Sequence, residues 1–210
     1  MNNYSKKIAE YLLQIKAIKL EPSNPFTWAS GWKSPIYCDN RKTLSFPEVR
    51  NYIKDQFAGQ LKEKYPEAEV IAGVATGAIA IGMLVADALN LPFIYIRSAS
   101  KGHGLGNQIE GKYSEGDKVV VIEDLISTGG SSLAAVSALR DANCEVLGML
   151  AIFTYGFQKA TDAFSNADCK IDTLCNYNIL AEEAVDKGYV TADELETLKE
   201  WRVNPSEWGV

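Results

Sequence analysis

Apolar residues at Ile8, Tyr11, Leu12, Ile15 and Ile18 recur at three- and four-residue intervals, which predicts an opening amphipathic helix. Ser45, Pro47 and Glu48 have the spacing of a capping box with proline in the first turn. They predict a second helix whose inner face carries Val49, Ile53, Phe57 and Leu61. Runs rich in β-branched residues then predict strands at about 70–74, 93–97, 118–123 and 145–153. Helical stretches near 78–89 and 131–142 lie between them, the latter with Leu133, Val136 and Leu139 facing inward. Thr191 and Glu194 form a second capping-box pattern, ahead of a terminal helix with Leu195, Leu198 and Trp201 on one side. The alternation of strand and helix predicts parallel pairing in an α/β sheet, whose ligands gather at the strands' carboxyl ends.

One of those ends is chemically dense. Residues 119–132 read Val-Val-Val-Ile-Glu-Asp-Leu-Ile-Ser-Thr-Gly-Gly-Ser-Ser. Four β-branched residues make a strand buried on both faces, two carboxylates follow, and a hydroxyl- and glycine-rich turn leads into a helix. That turn suits a phosphate: glycines let backbone N–H groups crowd an anion, Ser127, Thr128, Ser131 and Ser132 offer hydroxyls, and a helix N-terminus adds positive potential. Glu123 and Asp124 would repel a bare phosphate, so they point to sugar hydroxyls or a magnesium ion on the same ligand. A molecule with a phosphate at one end and a ribose diol in the middle, such as 5-phosphoribosyl 1-pyrophosphate (PRPP), satisfies both halves. The plainer alternative is a buried strand followed by a serine-capped helix.

The segment after the second predicted strand, 97–112, is also loaded. Gly102, Gly104, Gly106 and Gly111 argue against a stable helix and for a mobile loop. Arg97, Lys101 and His103, the only histidine in the chain, lie within seven positions of an otherwise acidic protein, where they can attract and cover a polyanion. A solvated surface loop is the alternative. The glycine spacing is not a dinucleotide fingerprint, because no helix follows it, and no Gly-Lys-Ser/Thr phosphate loop follows any strand.

Composition narrows the class. The 210 residues suffice for one α/β domain with a small appendage, without disulfides or a structural metal. A net charge of −6 and a pI near 5.0, with no basic run, argue against nucleic acid as a partner. The four cysteines lack C-x-x-C spacing and read as reduced, largely buried thiols. The chain shows neither a signal-peptide pattern nor the roughly 18 consecutive apolar residues of a spanning helix, so no membrane association and a cytoplasmic location are expected.

The 119–132 run resembles the PRPP signature of the type I phosphoribosyltransferases. Two further stretches, 101–111 and 26–41, resemble the mobile loop and the base-covering hood of the orotate-using branch of that family, and the likeness covers nearly the whole chain, weakest after about residue 155. The resemblance implies a central, mostly parallel sheet flanked by helices with a small N-terminal hood. It divides one domain into about 1–45 (helix and hood), 46–175 (α/β core) and 176–210 (C-terminal helical segment). It implies Mg²⁺-dependent transfer of the phosphoribosyl group from PRPP to N1 of orotate, and a homodimer sharing the 98–112 loop across subunits.

Carried onto this chain, the resemblance assigns Lys101, His103 and Arg97 to catalysis. Lys101 and Arg97 would neutralise the departing pyrophosphate and His103 would donate a hydrogen bond or proton to it. PRPP would lie against Glu123, Asp124, Leu125, Ile126, Ser127, Thr128, Gly129, Gly130 and Ser131, and against the turn Ala75, Thr76 and Gly77, for which the family implies a non-proline cis peptide. Glu123 and Asp124 would support the metal directly or through water. Orotate would meet Tyr37, Cys38 and Ser127, with Lys33 or Arg41 reaching its carboxylate or the pyrophosphate. The chain departs from well-known members at Ala29 and Ser98, basic in those members, at Ala75-Thr76 in place of a Tyr-Lys pair, and at Tyr155 in place of an arginine that grips the orotate carboxylate. The carboxylate contact is therefore expected from elsewhere. A purine-base enzyme of the same fold and a non-catalytic PRPP-binding regulator remain as alternatives.

Overall fold

The computed structural model describes residues 3–28, 30–98 and 108–208. Helix α1 (Asn3–Gln14) buries Ile8, Tyr11 and Leu12 as the pattern predicts, but it ends before Ile18. Ile18 instead opens strand β1 (Ile18–Leu20), after Lys16 turns the chain at φ 54°. The hood follows as β2 (Phe26–Thr27), β3 (Lys33–Ser34) and β4 (Ile36–Cys38). β1 pairs with β4 and β2 with β3, both antiparallel, so the hood is two small ribbons rather than an extension of the main sheet.

A 3₁₀ turn (Asn40–Ser45) leads into α2 (Pro47–Lys64). The capping box expected there is not formed. Phe46 occupies the N-cap without a side-chain cap, Ser45 is spent inside the 3₁₀ turn, and Glu48 accepts a hydrogen bond from the Tyr11 hydroxyl at 2.8 Å. Proline at the first helical position and the buried face of Val49, Ile53, Phe57 and Leu61 are as predicted.

The remaining elements are β5 (Val70–Val74), α3 (Ile79–Leu89), β6 (Phe93–Ile96), β7 (Ile109–Glu110), β8 (Lys118–Ile126) and α4 (Gly130–Asp141), then β9 (Glu145–Thr154), α5 (Gln158–Asn166), β10 (Ile171–Asn176), α6 (Tyr177–Asp186) and α7 (Ala192–Val203). The six-stranded sheet has the order β10-β9-β8-β5-β6-β7, parallel throughout except for β7, which returns antiparallel along β6. Val119 and Val121 of β8 point into one apolar cluster and Val120 and Ile122 into the other, so the strand is buried on both faces as its composition implied. Each such side chain contributes roughly 1.5–3 kcal/mol by burial.

The chain leaves β5 toward β6 on one side and later returns to place β8 on the other. The strand order therefore reverses between β5 and β8, whose carboxyl ends open side by side, Gly73 being in register with Ile122. The Thr191–Glu194 capping box is present with both reciprocal hydrogen bonds, and α7 buries Leu198 and Trp201. The cysteines are unbridged; Cys144, Cys169 and Cys175 are buried and Cys38 is half-buried. Among the described residues no helix is long and apolar enough to cross a membrane.

Candidate active site

The acids sit on the strand itself, since β8 continues past residue 123 to Ile126, with Glu123 opposite Ala151 and Leu125 opposite Phe153 on β9. A strand frame fixes the two carboxylates more rigidly than a loop could. Glu123, 4% exposed, accepts from the Ser132 hydroxyl at 2.8 Å through one oxygen and from the Asp124 backbone N–H at 3.0 Å through the other. Asp124 lies against the turn after β5, where a Cβ added at Gly77 would come within 2.3 Å of its Oδ2. Any larger residue there would force the Asp124 carboxylate to shift. The Asp124 carbonyl accepts from the Asn40 side-chain amide at 2.6 Å, which ties the hood's 3₁₀ turn to β8.

Burial, and then the adjacent Asp124 charge, pushes the Glu123 carboxyl well above the usual carboxylate range. Burial raises Asp124 too, while hydrogen bonding and the Arg41 charge pull it down. Two crowded, desolvated carboxylates of this kind gain from a cation or from hydroxyl donors.

A cleft of about 520 Å³ opens between the ends of β5 and β8. Its walls include Ala75, Thr76 and Gly77 on one side and Glu123, Asp124 and Leu125 on the other. Ser127, Thr128, Gly129, Gly130 and Ser131 close the end at the N-terminus of α4. The Ala75–Thr76 peptide is cis, as the resemblance implied. Gly129, at φ 84°, is the N-cap of α4, and no side chain caps this helix. The serine cap of the plainer reading is thus absent, and the helix start faces the cleft. Ile126, fully buried in the core, does not line it.

A second chamber of about 270 Å³ adjoins the cleft, sharing Cys38, Leu125 and Ser127 with it. Thr27, Trp28 and Tyr37 from the hood and Tyr155 from the end of β9 complete it. Tyr155 is 2% exposed, stacks on Phe157 at 5.3 Å and meets the edges of Phe153 and Trp201. The Trp28 ring tilts against Tyr155 at 5.2 Å, and its Nε1 donates to the Ile36 carbonyl at 3.1 Å. Burial raises both the Cys38 thiol and the Tyr155 phenol, keeping them neutral. Among the described residues the lining of this chamber is rich in aromatic rings and uncharged, a fit for a planar heterocycle.

The cations predicted for the site are distributed unevenly. Arg41 lies at the edge of the larger cleft, its Nε donating to Asp39 Oδ1 at 2.6 Å. The exposed Lys33 side chain donates to the Thr27 hydroxyl at 3.0 Å. Arg97 does not line the cleft; its Nη1 stands 3.6 Å from Glu110 Oε1. Lys101 and His103 lie outside the described residues. No group of three or more His, Cys, Asp or Glu side chains that could hold a metal occurs among the described residues. Two carboxylates beside a cleft lined by hydroxyls and glycines nevertheless fit Mg²⁺, which typically takes one or two protein carboxylates and completes its shell with substrate oxygens and water. The hood stretch 26–41 contains Thr27 and Asn40, but the Asn40 contact with Asp124 and the Trp201 contact with Lys33 join residues 84 and 168 apart, and no local pattern announces them.

A family model described as the phosphoribosyl transferase domain matches residues 45–192. A protein of Porphyromonas gingivalis named orotate phosphoribosyltransferase is 56% identical over 210 residues, covering 100% of both chains. Among solved structures, Leishmania donovani UMP synthase matches 94% of this chain and 42% of its own, with 25% identity and a TM-score of 0.80. Orotate phosphoribosyltransferase from Aeropyrum pernix matches 88% of this chain and 99% of its own at 24% identity, with a TM-score of 0.76; that likeness bears on the fold.

Proposed function

The chain belongs to the phosphoribosyltransferase family, in its orotate-using branch, and from that premise we infer that it transfers the 5-phosphoribosyl group of PRPP to N1 of orotate. The products are orotidine 5′-phosphate and pyrophosphate, a step in pyrimidine nucleotide synthesis. The observation that carries this reading is the pair of continuous chambers, one hydroxyl- and glycine-lined beside two buried acids, the other aromatic and neutral. A nucleoside monophosphate needs both at once. The match to relatives named for orotate along the full chain disfavours a purine base, and a net charge of −6 with no basic run disfavours a nucleic-acid-binding regulator.

In this reading the backbone N–H groups of 127–131 and the start of α4 hold the 5′-phosphate. Asp124 and Glu123 orient the ribose hydroxyls and support Mg²⁺ directly or through water. The turn Ala75-Thr76-Gly77 receives the pyrophosphate. Mg²⁺ held beside Glu123 and Asp124 would supply positive charge against the pyrophosphate. N1 of orotate, having released its proton to solvent before closure, bonds to C1 as the C1–O bond to pyrophosphate breaks, and positive charge builds on the sugar ring. Lys101 and Arg97 stabilise the departing oxygens and His103 donates to one of them. Arg97 would exchange Glu110 for pyrophosphate. The 98–112 segment covers the cleft of the second subunit of a homodimer, shutting water away from the activated sugar. Tyr37 and Cys38 offer backbone groups to the pyrimidine edge and Ser127 its hydroxyl. The enzyme is read as cytoplasmic.

The test is a panel of initial rates with Mg²⁺ and PRPP and with orotate, uracil, adenine, hypoxanthine or xanthine as the base. Orotate consumption with one pyrophosphate released per base supports the reading; turnover of a purine instead overturns the base assignment.

A further inference from the structure

Among the described residues, the side chains lining the base chamber are hydroxyl, thiol, aromatic or aliphatic, so none of them meets the charge of a carboxylate-bearing base. Desolvating a carboxylate against such a wall is unfavourable unless a cation reaches it. Position 155, at the end of β9, is a buried tyrosine enclosed by Trp28, Phe157 and Trp201 and supplies no charge.

Among the described residues, contacts place Arg41, Arg202 and Lys33 near the chamber. Arg41 is held by Asp39 beside the larger cleft, where its charge also acts on Asp124. Arg202 lies 3.5 Å from the carbonyl of Gly156, a residue that does not line the chamber. Lys33 is differently placed. Its ammonium donates to the hydroxyl of Thr27, which is chamber wall, and so its recorded partner is neutral.

The root of Lys33 is also fixed. Lys33 stands directly opposite Thr27 in the β2–β3 ribbon, which puts both side chains on one face. From the other end of the chain, Nε1 of the fully buried Trp201 donates to the Lys33 carbonyl at 3.1 Å. The C-terminal helix thereby sets where the hood's lysine begins.

We propose that Lys33 is the cation that selects a carboxylate-bearing base, with Trp201 of α7 as its positioning residue. The proposal rests on the orotate reading above. The ammonium keeps its Thr27 contact and adds a charge-assisted hydrogen bond to the carboxylate at the chamber mouth. Because Lys33 is exposed, salt weakens this recognition.

Steady-state kinetics on the wild type, Lys33→Ala, Lys33→Arg and Trp201→Phe test it, with orotate and PRPP varied in turn and thermal melting as a control for folding. Lys33→Ala raises KM for orotate by about 10- to 100-fold, with KM for PRPP unchanged. Lys33→Arg recovers much of the loss, and the rise of KM for orotate with salt flattens in Lys33→Ala. Trp201→Phe keeps the ring packing, loses the N–H, and raises KM for orotate by less. An unchanged orotate KM in Lys33→Ala, in a wild type that consumes orotate, overturns the lysine alone. Equal effects on both KM values also overturn it, because the charge then serves the phosphate end. A wild type that ignores orotate while turning over another base removes the functional reading, and the proposal with it.

Discussion

The two ends of the site are built in opposite ways. At the phosphoribosyl end, the run from Glu123 to Ser131, Ile126 excepted, supplies most of the wall, and residues 74–77 at and after the end of β5 together with Cys38, Asp39 and Arg41 of the hood supply the rest. At the base end, pieces of β2, β4, β8 and the tail of β9 meet, held from behind by Trp201 of α7. The first end relies on backbone N–H groups and carboxylates seated in a sheet; the second relies on ring packing between segments far apart in sequence. In the proposed reading, most phosphate and ribose contacts would come from neighbours in sequence, whereas the choice of base would depend on the tertiary assembly of the hood and the C-terminal helix.

That contrast is open to direct attack, beginning with the largest effect. Lys101→Ala is expected to lower turnover by about 10² to 10³ while the protein melts normally, by analogy with removing one stabiliser of a developing charge. A normal turnover number in the orotate absorbance assay would take the 98–112 segment out of the chemistry. Asp124→Asn should weaken PRPP binding by roughly tenfold or more in the presence of Mg²⁺, as loss of a charge-assisted contact implies. Calorimetric titration with Mg²⁺–PRPP measures this, and wild-type affinity would remove Asp124 from the ribose and metal.

Gly77→Ala sharpens the same end sterically. The added methyl group meets the Asp124 carboxylate at 2.3 Å, and overpacking of this kind costs about 1–3 kcal/mol. Urea unfolding should show that loss together with weaker PRPP binding; an unaffected protein would mean that Asp124 swings away freely. The smallest effect belongs to the other end. Thr191→Ala removes the cap of α7 and should cost about 1 kcal/mol. Because α7 carries Trp201, any kinetic change should fall on KM for orotate, and a change confined to PRPP would break the comparison.

The same contrast explains what could be read before the fold was known. The strands and helices of residues 70–154 were legible because long β-branched runs alternate with helical periodicity, and the phosphate end was legible because its residues are neighbours in sequence. β8 still ran three residues further than expected, placing both acids on the strand, since Leu125 and Ile126 continue its pairing with β9. Beyond residue 155 the pattern weakens. The nine-residue α5 and the edge strand β10, in which Asp172 and Thr173 interrupt the apolar run, carry little local signal. The two capping-box patterns make the point most sharply. Thr191 and Glu194 close on each other at the exposed start of α7, whereas Glu48 is taken by the Tyr11 hydroxyl from α1 and Ser45 by the preceding 3₁₀ turn. Tertiary partners decided between two equally good local signals.

The most direct test of a site made of two joined chambers is a calorimetric comparison of ribose 5-phosphate, which fills only the first, with orotidine 5′-phosphate, which fills both. The account predicts that orotidine 5′-phosphate binds at least about tenfold tighter, at one site from which ribose 5-phosphate is displaced, because the base adds its own contacts. Equal affinities, or simultaneous binding of the two ligands, would contradict it.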